Sequence, residues 1–91
     1  MQHSNTKKAQ IIFTTLAKVI REEREKQNKS QRILADEFEI QKSLISRLEN
    51  GKNEPKLISL WTVCDGLNIS LSDLFKKLEN ELPKDFSLID R

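Results

Sequence analysis

Apolar residues in this chain recur at every third or fourth position, in runs kept short by cap and breaker residues, and that spacing predicts a protein built of helices alone. No stretch alternates apolar with polar residues as a half-buried strand would. Ile12, Leu16, Val19 and Ile20 mark a first helix from about Gln10, whose pattern runs out over the polar residues 24–29. Ser30 can cap a second helix, Gln31–Phe38, with Leu34, Ala35 and Phe38 facing inward. After a break at Glu39–Gln41, a third helix covers Lys42–Asn50 and closes at Gly51, a residue that enters the left-handed conformation at no steric cost. Leu57, Leu60, Cys64 and Leu67 mark a fourth, ending at Asn68. Ser70 starts a fifth with Asp73 in the capping-box position, and Pro83 stops it. Residues 1–9 read as a flexible arm, 10–82 as the folded domain and 83–91 as a tail without a clear period.

At 91 residues the chain has room for one small core, which argues against a multi-domain enzyme. Charge is unevenly spread. Residues 1–56 carry 12 Lys/Arg against 8 Asp/Glu, whereas residues 57–91 carry 4 against 6, so the first part is the expected face for a polyanion. Cys64 is the only cysteine and cannot form an intramolecular disulfide. With no apolar run near the ~20 residues that span a bilayer and no signal peptide, a cytoplasmic protein without a membrane partner is expected.

Chemistry concentrates on the third helix. At about 100° per residue, Lys42, Ser43, Ser46, Arg47 and Asn50 share one arc, while Leu44, Ile45 and Leu48 occupy the other and Glu49 lies at the margin. Seen alone, such a polar stripe is ordinarily a solvated face. A capped helix before it, across a turn of a few residues, is however the geometry that delivers side chains into a major groove. Arg47 can fork onto guanine O6 and N7, Lys42 can donate there as a point charge, and Ser43 and Ser46 can bond bases or phosphates. Enzymatic chemistry finds no support: His3 and Cys64 are far apart, no nucleophile sits beside a base, and no metal-ligand cluster or phosphate-cradling glycine loop exists. No cofactor is expected.

Ser30-Gln31-x-x-Leu34-Ala35, followed by Ile40-x-x-x-x-Ile45-Ser46-Arg47-Leu48-Glu49-Asn50-Gly51-Lys52 and then Pro55, resembles the core of the Cro/repressor-type (XRE) helix-turn-helix family, over roughly residues 14–75. Small stand-alone members include controller proteins of restriction-modification systems, phage repressors and antitoxin-type autoregulators. The resemblance implies an all-α, five-helix, lambda-repressor-like domain that regulates transcription from double-stranded DNA. It assigns Lys42, Ser43 and Arg47 to bases, with Ser46 and Leu44 secondary. Phosphate contacts fall to Gln31, Lys52, Asn53 and Lys56, with Ser30 and Asn50 flanking them. Arg24 and Glu49 match an ion pair that joins the first helix to the end of the recognition helix. Two departures stand out: Glu39 replaces the usual turn glycine and must accept positive φ, and Ile33 replaces the usual capping-box glutamate, leaving that cap half made.

Leu71, Leu74, Phe75, Leu78 and Leu82 offer more apolar surface than so small a monomer readily covers, so a homodimer is expected through Trp61, Leu74, Phe75 and Leu78. A palindromic operator follows from that two-fold symmetry. The competing reading is a protein-interaction module of the antitoxin type, whose apolar tail Phe86–Ile89 masks a small protein partner.

Overall fold

A computed structural model describes residues 6–89. Among them are five helices and no strand: α1 (Thr6–Lys26), α2 (Gln31–Phe38), α3 (Lys42–Asn50), α4 (Leu57–Gly66) and α5 (Leu71–Glu81). α1 begins inside the stretch expected to be an arm, because a periodic apolar pattern detects burial rather than helicity. Lys7, Lys8 and Ala9 suit a helix without marking an inward face. The remainder of that arm, residues 1–5, lies outside the described residues.

Local chemistry sets most of the boundaries. Ser30 Oγ accepts from the Ile33 amide at 3.1 Å, and Ser70 Oγ accepts from the Asp73 amide at 3.1 Å, so α2 and α5 each have a side-chain N-cap. Three chain reversals after helices pass through the left-handed region without glycine, at Asn28, Glu39 and Asn68. Asparagine tolerates that region; Glu39, at φ 53°, is there at a cost of about 1 kcal/mol. Ile40 and Ile69 follow Glu39 and Asn68, donate back to the Ala35 and Cys64 carbonyls, and pack on the core. Such contacts offset the strain in turns of this type.

α1 runs behind the other helices, packed on α3 and α5, while α2 packs on α3 and α4 on both α3 and α5. The core they enclose includes Leu16, Val19, Ile20, Leu34, Ala35, Ile45, Leu48, Leu60, Val63, Leu67, Leu74 and Leu78. Cys64 is buried there as a small apolar group. Burial, aided by the neighbouring Asp65 carboxylate, pushes its thiol up to about 11, so it stays protonated near neutral pH.

Several inward and outward expectations are corrected. Phe38 is half exposed, because α2 ends there and the chain turns Ile40 inward instead; Lys29 Nζ lies 5.4 Å from its ring centroid. Ile33, like Phe38, is about half exposed. On α4, Val63 faces inward and Leu57 outward, and the helix ends at Gly66, two residues before Asn68 makes the reversal. Leu74 and Leu78, expected at a dimer interface, belong to the protein's own core, at 0% and 8% exposure. α5 is already covered on that side by α1 and α4.

Candidate nucleic-acid interface

α3 is held by its apolar side. Ile45 is fully buried, Leu48 nearly so and Leu44 partly, packed against the core. Lys42, Ser43, Arg47 and Asn50 face outward as the wheel requires, while Ser46 is half-buried and so less available than its neighbours. Gly51 ends the helix at φ 67°, pressed onto α1. A Cβ there would lie 3.1 Å from Thr14 Cα and 3.2 Å from the Phe13 carbonyl oxygen, so position and backbone conformation both favour glycine.

Glu49, the one carboxylate on α3, is drawn out of the exposed face. Arg24 Nε donates to its Oε2 at 2.8 Å and Arg24 Nη2 to its Oε1 at 2.9 Å, a two-pronged pair in which both residues are buried. Arg24 Nη1 reaches the Lys29 carbonyl at 2.6 Å, tying in the chain that leads into α2. The hydrogen bond to Glu49 raises the Arg24 guanidinium above its ordinary value although burial acts against the charge. Gln31 Nε2 also donates to Glu49 Oε1, at 3.1 Å. Gln31, to which the family resemblance gives a phosphate contact through its side chain or its backbone amide, therefore has its side-chain amide turned to Glu49, while its backbone amide stays at the start of α2.

Beyond α3, Lys52, Asn53 and Lys56 are exposed on the loop to α4, and the Lys52 amide donates to Asn50 Oδ1 at 3.0 Å. A cavity of about 350 Å³ opens between α3 and this loop, with Arg47, Asn53, Lys56, Leu44 and Phe13 among its lining residues. The structure thus brings Lys42, Ser43, Arg47, Asn50, Lys52, Asn53 and Lys56 to the surface of α3 and its following loop, with Ser30 exposed at the start of α2. Sequence reasoning missed Gln10, whose Nε2 donates to the Gly51 carbonyl at 2.6 Å across a separation of 41 residues. No local pattern could have signalled it.

A second exposed surface is of opposite chemistry. Leu57, Ile58 and Trp61 on α4 are 56%, 72% and 51% exposed, and Phe75 on α5 is 39% exposed. Of the four residues expected at a dimer interface, Trp61 and Phe75 are exposed, and Leu57 and Ile58 are exposed with them. Among the described residues no helix is long and apolar enough to cross a membrane, and no His, Cys, Asp and Glu cluster could hold a metal ion.

Residues 20–74 match the family model HTH_3, helix-turn-helix. The chain is 36% identical over 58 residues to Control protein C.MunI from Mycoplasma sp., an alignment covering 64% of this chain and 78% of that protein. Its fold is similar to the crystal structure of an HTH_3 family transcriptional regulator from Vibrio cholerae, with a TM-score of 0.66 at 22% identity. That likeness covers 87% of this chain and 45% of the other, so the chain spans about half of that regulator's length.

Proposed function

The chain belongs to the helix-turn-helix family of non-enzymatic, DNA-binding transcriptional regulators, and from that premise we propose that it is a cytoplasmic homodimer reading a palindromic operator through α3. The observation that carries the proposal is the withdrawal of Glu49 into the fork of Arg24. It leaves a helix whose outward side chains are donors and cations, suited to a groove walled by phosphates. Arg47 and Lys42 act as the purine readers, with Ser43 and, at closer range, Ser46 adding bonds to bases or phosphates. Lys52, Asn53 and Lys56 grip the backbone, which sets orientation without carrying sequence information. Ser30, Asn50 and the backbone amides at the start of α2 flank them; the Gln31 side chain does not take part.

Trp61, Phe75, Leu57 and Ile58 form the two-fold contact. Pairing two copies there sets the recognition helices about 34 Å apart, one turn of duplex. Control then works through the protein's own concentration, since dimerisation and operator occupancy rise together.

Selection of bound duplexes from a random pool at two salt concentrations, with sedimentation of the free protein, tests this directly. The expected result is a palindromic site whose binding constant falls steeply with salt, and a dimer at micromolar concentration. Recovery of no preferred sequence, or a monomer that binds a single half-site one-to-one, would overturn the operator and dimer assignments respectively.

A further inference from the structure

The peptide linking Gly51 to Lys52 is held at both ends by side chains. Its oxygen, the Gly51 carbonyl, accepts from Gln10 Nε2 at 2.6 Å. Its hydrogen, on the Lys52 nitrogen, is donated to Asn50 Oδ1 at 3.0 Å. Because a peptide unit is planar and rigid, tethers at its oxygen and at its hydrogen together restrict how far the plane can swing. The direction in which the chain leaves α3 at Lys52 is restricted with it. Gln10 is itself steadied one turn further along α1, where Nε2 lies 3.3 Å from Thr14 Oγ1. The contact can be this short because Gly51, lacking a Cβ, presses against the α1 backbone at Phe13 and Thr14.

We infer that Gln10 is a positioning residue for the DNA-backbone grip, acting through the 51–52 peptide to hold Lys52 in the orientation that meets a phosphate. The inference rests on the DNA-binding reading given above. Gln10 need not touch the duplex. Without it, the peptide keeps one of its two tethers and can rotate, and Lys52 must be ordered at the moment of binding rather than beforehand, which costs affinity. Since Lys52 meets backbone rather than bases, the loss falls on cognate and unrelated sequences alike and leaves their ratio unchanged.

The test is a double-mutant cycle of Gln10→Met and Lys52→Ala, titrated against an operator duplex recovered by selection and a mixed-sequence duplex of equal length. Methionine keeps the length and helix preference of glutamine and removes the amide that makes the bond. Gln10→Met is expected to weaken binding to both duplexes about fivefold. Lys52→Ala should weaken it roughly tenfold and make the salt dependence shallower by about one phosphate. The double variant should bind no more weakly than Lys52→Ala alone. Independently of DNA, the Lys52 amide proton should exchange with solvent several-fold faster in Gln10→Met than in wild type. Wild-type affinity in Gln10→Met while Lys52→Ala weakens both duplexes would overturn the inference and leave the DNA reading standing. Strictly additive losses would overturn it too, since Gln10 would then act elsewhere. If neither variant altered binding to either duplex, the grip itself would be misassigned and the inference would fall with it.

Discussion

α3 and α4 are nearly equal in length, stand next to one another in the chain and sit in the same core, yet they show opposite chemistry to the outside. α3 buries Ile45, Leu48 and Glu49 and exposes Lys42, Ser43, Arg47 and Asn50. α4 buries Leu60, Val63 and Cys64 and still exposes Leu57, Ile58 and Trp61. A helix apolar on one side is finished when that side is covered; a helix apolar on both sides is not. The same small core therefore presents one face complete in water and open to a polyanion, and another that gains by meeting a second apolar surface. On the proposed function, DNA reading and dimerisation fall to these two different faces, and substitutions can pull them apart.

The largest expected effect comes from removing the support behind α3. Arg24→Ala leaves Glu49 buried with the neutral Gln31 amide in place of its cationic partner, and urea unfolding should show a stability loss of about 3–5 kcal/mol. A loss below about 1 kcal/mol would mean that α3 is seated by its apolar residues alone. Next in size, Trp61→Ala should weaken dimerisation by about 3 kcal/mol in sedimentation equilibrium while leaving the fold of the monomer intact. An unchanged dimer would remove α4 from the interface and break the contrast between the two helices. Arg47→Ala reverses that pattern: cognate affinity should drop by about 2 kcal/mol with relaxed preference at one base position, and dimerisation should not change. Smallest is Glu39→Gly, which relieves a left-handed glutamate and should stabilise the protein by up to about 1 kcal/mol. Because Glu39 lies on neither face, DNA binding and dimerisation should both stay as in wild type, and a shift in either would show that the turn tunes α3.

Much of the architecture could be read locally. Ser30 and Ser70 cap the helices they were expected to cap, Gly51 takes the positive φ that its position demands, and the outward arc of α3 follows from its periodicity, whereas the positive φ of Glu39 was implied by the family resemblance. The fork of Arg24 onto Glu49 was implied by the family resemblance, since no local pattern joins residues 25 positions apart. Inward and outward assignments failed where a helix has apolar residues on more than one side or ends at the residue in question. Periodicity places Leu74, Phe75 and Leu78 on one stripe of α5 but does not say how much of it α1 and α4 already cover.

By itself, the sequence determined the helices, their caps and the side of α3 that carries donors and cations, because these depend on residues within a turn or two of each other. Only the tertiary structure decided that Glu49 turns inward, that Leu74 and Leu78 are used up in the core while Trp61 is left out, and that Gln10 reaches the Gly51 carbonyl. Each of those outcomes is set by which helices come within a few ångströms of each other, a property of the packed chain that no short window of residues contains.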